Sequence, residues 1–254
     1  MDVPRDPRAL LDANRLLVHP ASARLVLEGL RATGEGSDIG RTVMTDPALA
    51  ASVLRAANSA HLGYSRRIGG VRQAVVMLGA QLVSSLTAGR VADLVFDTTA
   101  PDYPEWLWLH SLTVACAASV VARHVGESTD EAFTAGLLHD VGWLLAASNG
   151  VPDPEVDHAT QGSGLLARWN LPDRIVAAVQ QHHTRPSGLT APLDKIVAAA
   201  HALAGALGVP SPEKSMTVAE AIQVTNLGDL RQAVLMSEIE SELTSITSGL
   251  TAAS

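Results

Sequence analysis

One segment constrains this chain more than any other. Ala132–Ala146, AFTAGLLHDVGWLLA, is almost wholly apolar, yet it carries His139 and Asp140 in its middle. Its spacing predicts a single helix, and a helix apolar on every face is buried. An ionised carboxylate removed from water is costly unless it is paired, hydrogen-bonded or bound to a metal. Asp140 therefore demands partners. The histidines are the place to look: His110, His158, His182, His183 and His201 in the same half, His124 near a helix end, His19 and His61 upstream. Imidazole with carboxylate is the ligand set of zinc, iron and manganese sites.

The rest of the chain predicts an all-α protein, a two-lobed helical bundle. Helical spacing marks Ala9–Leu17, Ala21–Ala32 and, after Ser37, Asp38–Met44. Asp46-Pro47 supplies an N-cap and a proline suited to the first helical position. The helix it starts carries Leu49, Val53, Leu54 and Ala57 and ends at Asn58-Ser59. Val71–Val95 follows, interrupted near Gly79, and then a proline-bearing loop over Asp97–Pro104. Further helices are expected at Glu105–His124, Glu155–Trp169, from Leu171-Pro172 to His182-His183, and at Ala191–Leu207. Ser128 and Glu131 form an S-x-x-E capping box before the central apolar helix. Val218–Val224 and Leu227–Ile246 close the chain. Their stripe of Leu227, Leu230, Val234, Leu235, Ile239, Leu243 and Ile246 suits packing on the body or self-association, so a homo-oligomer stays open.

Of the 254 residues, 47% are hydrophobic but only 3% aromatic, so Leu, Val and Ala must fill the core. The net charge of -8 argues against nucleic acid and against an anionic membrane surface. A single cysteine, Cys116, rules out an intrachain disulfide, which fits a reducing cytoplasm. Met1–Leu17 holds charged residues and no apolar run like a signal peptide. The longest apolar runs, Leu112–Ala122 and Ala132–Leu138, are too short to span a bilayer.

Leu137-Leu138-His139-Asp140-Val141-Gly142 resembles the signature of the HD superfamily, and its surroundings resemble the HDOD branch in order and spacing. These are Asp46-Pro47-x-Leu49, Leu54-Arg55-x-Ala57-Asn58-Ser59-Ala60 with Gly63, Ala74-Val75 to Leu78-Gly79, and Trp108-x-His110-Ser111. His158-x-x-x-Gly162, Leu165-Leu166-x-x-Trp169-x-Leu171-Pro172 and His182-His183 complete the set. The resemblance implies an HDOD domain over 14–208, divided into an N-terminal lobe (14–100) and an HD-like lobe (101–208), with a helical extension over 209–254. By analogy with the HD-GYP enzymes it implies a metal-ligand set of His110, His139, Asp140, His158, His182 and His183. His201 stands where those enzymes place a final Asp, Trp143 stands where a Lys often follows, and no GYP motif is present.

No cofactor is certain from the sequence; a divalent ion, iron, manganese or zinc, is the one the ligand set suits. Plainer roles stay open. His182-His183 can cap a helix C-terminus, His110 and His139 can bond to neighbouring helices, and His201 can be a surface residue. The leading expectation is a non-catalytic, bacterial signal-transduction module that binds a regulatory protein partner or a small ligand such as a nucleotide. The alternatives are a metal-dependent phosphohydrolase of a nucleotide or cyclic dinucleotide, and a DNA-binding regulator using Asp38–Ala60 as a helix-turn-helix.

Overall fold

A computed structural model describes residues 16–31, 39–59, 67–96, 102–150, 157–213, 215–227 and 232–251. Among them there are helices and no strand. The N-terminal lobe holds α1 (Pro20–Arg31), α2 (Ile39–Met44), α3 (Pro47–Ala57) and α4 (Val71–Phe96). The second lobe holds α5 (Glu105–Val125), α6 (Thr129–Leu138), α7 (Val141–Ser148), α8 (His158–Arg168), α9 (Asp173–Gln181) and α10 (Pro192–Ala206). Beyond it come α11 (Val218–Val224) and α12 (Gln232–Thr251).

Local chemistry sets several of these boundaries. Asp46 accepts hydrogen bonds from the backbone N–H groups of Ala48 and Leu49 and so starts α3, with Pro47 at its head. Asn58 ends that helix: its side-chain amide donates to the carbonyls of Leu54 and Ile68, and its Oδ1 accepts from Ile68 N. Gly79, at φ 75°, kinks α4 where the sequence expects an interruption. Ser128 caps α6 by accepting from Glu131 N, but the Glu131 carboxylate pairs with Arg174 across the lobe.

Four expectations are revised. The 132–146 segment is two helices, not one, because the chain bends at His139-Asp140 between α6 and α7. Leu16 and Leu17 are buried but not helical, and the rest of the expected Ala9–Leu17 helix lies outside the described residues. Helix α3 is buried over most of its surface, with only Arg55 and Ala56 partly exposed. It offers no face to a DNA groove, so the helix-turn-helix reading loses its recognition helix. Finally, Val71–Ala92 in α4 and Glu105–Val125 in α5 are each long and apolar enough to cross a membrane. Counting uninterrupted apolar runs misses them, because their small polar residues lower mean hydropathy little. The apolar window of α5 is 78% buried, as in a core helix, whereas that of α4 is 28% buried.

Helix α5 is the axis of the second lobe. It is buried all round over Ala115, Cys116, Ala117 and Ala118, side chains small enough for α6, α10 and α12 to lie against it. Burial pushes the Cys116 thiol pKa up, as expected of a packing residue rather than a nucleophile. Leu235 and Ile239 bury the α12 stripe, while Arg123 and His124 pair with Glu242 and Glu238 at its edge. His61 and Leu230 lie outside the described residues.

Glycines set the closest approaches. A Cβ on Gly136 would meet the Val114 carbonyl at 2.8 Å, and one on Gly142 would meet the His158 carbonyl at 2.0 Å. Gly164, in α8, faces open space. Gly142→Ala is therefore expected to destabilise the protein by about 1–3 kcal/mol through overpacking. Gly164→Ala is expected to stabilise it by up to about 1 kcal/mol through helix propensity. Urea unfolding of the two variants checks the contrast, and equal shifts of the same sign would refute it.

Candidate metal centre

Four helices and one bend bring the candidate ligands together. His110 lies on α5, His139 and Asp140 form the bend between α6 and α7, and His158 opens α8. His182 and His183 follow α9, and His201 sits in α10. All are buried except His183, which is partly exposed. The structure thus brings all seven sequence-predicted residues to one place and removes the surface reading of His201.

Asp140 precedes α7, a usual place for a capping aspartate, yet its side chain caps no N–H there. Its two oxygens face imidazoles instead. Oδ2 lies 3.2 Å from His139 Nε2 and 3.5 Å from His110 Nε2. Oδ1 lies 3.2 Å from His158 Nε2 and 3.4 Å from His182 Nε2. Nitrogens also face each other, at 3.2 Å for His110–His139, 3.2 Å for His158–His182 and 3.1 Å for His183–His158. Two donor sets result, His110/His139/His201 and Asp140/His158/His182/His183. Within each, the ligand atoms lie within 4.8 Å of one another.

The outer nitrogens explain why these sets suit cations. His139 Nδ1 lies 2.7 Å from the Gly136 carbonyl, and His182 Nδ1 lies 2.6 Å from the Val179 carbonyl. His158 Nδ1 lies 3.1 Å from Glu213 Oε1. Such acceptors hold the proton on Nδ1 and turn the Nε2 lone pair inward. Inward lone pairs then face a carboxylate and one another, an arrangement that protons or cations must relieve.

Extra protons are disfavoured at most of these positions. Burial, reinforced by neighbouring imidazoles and opposed by Asp140, lowers the pKa of His110 to about 4, His183 to about 3 and His201 to about 2. Burial likewise lowers His182. His158 is the exception: burial opposes its charge, but Asp140, Glu213 and Asp157 outweigh burial and raise it. Burial also opposes the charge on Asp140, but His139, His158 and His182 hold its carboxyl well below the usual range. A charged carboxylate among imidazoles that mostly resist a second proton is a donor set that zinc, iron or manganese fits.

The sequence did not point to two further contributors, Glu213 and Ser211, and it marked a third, Trp143, only by its position. Glu213 reaches His158 Nδ1 and, through Oε2, His183 Nε2 at 2.9 Å. Ser211 Oγ lies 3.2 Å from His201 Nε2. Both belong to an irregular segment after α10, where no periodicity exposes a role. Trp143 stacks on His158 with ring centroids 5.1 Å apart. Its position was legible, but not that its face would cover a ligand. His19 stacks on Trp108 outside the centre.

Comparison with known proteins places this geometry in context. The HDOD domain matches residues 32–152, and the HD domain matches residues 107–219. An uncharacterized protein of Treponema pallidum is 26% identical over 213 residues, covering 73% of this chain and 38% of its own length. Ribonuclease Y of Desulfotalea psychrophila is 38% identical over 109 residues, covering 42% of this chain and 19% of its own length. The chain thus spans well under half of these curated relatives. The crystal structure of the MmoQ response regulator from Methylococcus capsulatus aligns over 87% of this chain and 97% of its own, with a TM-score of 0.69 and 25% identity.

The neutral imidazoles carry a pH consequence. In metal-free folded protein, His110, His183 and His201 resist protonation down to about pH 4, 3 and 2, whereas unfolded histidine protonates near 6.5. The unfolded state therefore binds more protons below pH 6.5, and stability falls as pH falls through 6.5 toward 4. Each such histidine contributes up to about 1.4 kcal/mol per pH unit. Urea midpoints of chelator-treated protein at pH 7 and pH 5 measure the effect, and equal midpoints would contradict it.

Proposed function

The chain carries an HDOD domain that runs into an HD domain, and on that premise we propose a signal-transduction module built on a divalent-cation centre, working by binding rather than by turnover. The observation that carries the metal is the Asp140 carboxylate, which offers one oxygen to each of two histidine sets. His110, His139 and His201 would hold one ion, and His158, His182 and His183 the other, with Asp140 between them. Zinc, iron and manganese all suit these donors.

Closure of the centre favours binding over turnover. Trp143 lies flat over His158, at the position where the resembling enzymes often carry a phosphate-binding Lys. The Glu213 carboxylate lies against His183, the one partly exposed ligand, and would repel a phosphate there. The output on this reading is contact with a regulatory protein partner or a small ligand such as a nucleotide. The acidic balance and the single buried cysteine support a cytoplasmic setting without nucleic acid or membrane attachment.

Elemental analysis of protein purified without chelators tests the centre. Near-stoichiometric metal is expected in the parent and a loss of most of it in Asp140→Ala; a parent without metal would sink the proposal.

A second reading, a metal-dependent phosphohydrolase, draws on one further observation. A cavity of about 570 Å³ opens beside His182 and His183 and is also lined by Arg185, a cation suited to a phosphoryl group. Likeness to part of a ribonuclease supports the same chemistry. Bound cations would supply an acidified water and charge neutralisation. Arg185 would orient the anion, while Asp140 and the histidines hold their protein-side geometry. Metal-loaded protein is expected to show no turnover of nucleotide or cyclic-dinucleotide phosphodiesters above the Asp140→Ala background. Metal-dependent turnover abolished by that substitution would instead establish the enzyme.

A further inference from the structure

The segment joining α10 to α11 crosses the centre and touches both donor sets. Ser211 Oγ lies 3.2 Å from His201 Nε2, on the His110/His139/His201 side. Two residues on, Glu213 places Oε1 3.1 Å from His158 Nδ1 and Oε2 2.9 Å from His183 Nε2, on the other side. Ser211 Oγ also accepts from Glu213 N at 3.3 Å, tying the two contacts into one short strap. His183 is where the centre meets the cavity beside α9, so Glu213 stands at the junction of ligands and solvent.

A carboxylate at that place has two physical consequences. By accepting from His158 Nδ1 it directs the opposite nitrogen inward and makes the imidazole a stronger donor, as the Gly136 and Val179 carbonyls do for His139 and His182. Its negative charge also occupies the edge from which an anion would approach a bound cation. Glu213 has no other role evident from its surroundings: its side chain is 35% exposed and lies in no helix.

We propose that Ser211–Glu213 is a built-in cap on the cation centre, with Glu213 as a positioning residue for His158 and an internal anion that closes the His183 edge. The idea rests on the cation centre proposed above. It predicts that the cap, not the shape of the cavity, keeps phosphate-like anions from the ions. Ser211 steadies the cap from the far side, through His201.

Full-length parent, Glu213→Gln and Ser211→Ala, each loaded with zinc or cobalt(II), test the proposal. Zinc affinity comes from competition with a chromophoric chelator, and anion access from the cobalt visible spectrum titrated with inorganic phosphate. Glu213→Gln is expected to bind zinc roughly 10- to 100-fold more weakly, the range for losing a partner behind a metal-bound histidine. Phosphate is expected to perturb its cobalt spectrum at concentrations that leave the parent unchanged. Ser211→Ala is expected to show the same direction with a smaller effect, and it leaves the carboxylate in place should Glu213→Gln fold poorly. Thermal unfolding of the metal-free proteins separates loss of the cap from loss of the fold. Parental zinc affinity and phosphate response in both variants would overturn the cap while leaving the cation centre standing. A parent that binds neither metal would overturn both.

Discussion

The buried carboxylate of Asp140 is the constraint on which the second lobe depends. It stands in the bend between α6 and α7, 3% exposed, with no Lys or Arg paired to it among the described residues. Its neighbours are imidazoles drawn from α5, the bend itself, α8, the end of α9 and, one step out, α10. A charge in such a place is tolerable only if those groups converge on it. The helices must therefore meet around one point, and the spacing of the lobe follows from that meeting.

Small residues make the convergence feasible. Helix α5 turns alanines and Cys116 toward its neighbours, and Gly136 lets α6 settle against the α5 backbone near Val114 and Ala115. Gly142 and Gly162 perform the same service between α7 and α8, where a Cβ on either would press on the other segment's backbone or side chains. The glycine after His139-Asp140 is thus part of the centre: without the close approach it permits, His158 could not reach Asp140. The scarcity of aromatics belongs to the same design, since bulky rings would hold these helices apart. Two of the tryptophans lie near the centre, Trp143 over His158 and Trp106 against Trp143.

Access to the candidate centre is set by what flanks His158 and His183. Catalysis on a phosphodiester needs a path for an anion to the ions and a place for its oxygens between them. Here an indole and an internal carboxylate flank the accessible edge, while a cavity with an arginine lies just beyond. On the reading proposed above, the same structure would hold ions as a scaffold and, with the cap displaced, expose them, the Glu213–His183 contact marking the edge between the two states.

Sequence alone determined much of this. Helical periodicity and caps such as Asp46 and Asn58 are local, so the all-α class and most helix boundaries were legible without the fold. A carboxylate inside an apolar segment demands partners wherever the chain goes, so Asp140 could be named in advance, while its particular histidines were singled out by the resemblance to the HD enzymes. The bend at His139-Asp140 was not legible, because the Leu and Ala residues on both sides favour continuing a helix and no Pro interrupts them. Nor were Glu213 and Ser211, which lie in irregular chain where no period marks a face. Tertiary structure alone decided which Asp140 oxygen meets which histidines, which ring nitrogens turn inward, and that a later strap would lie across them. Those are distances between elements far apart in sequence, and no local propensity encodes them.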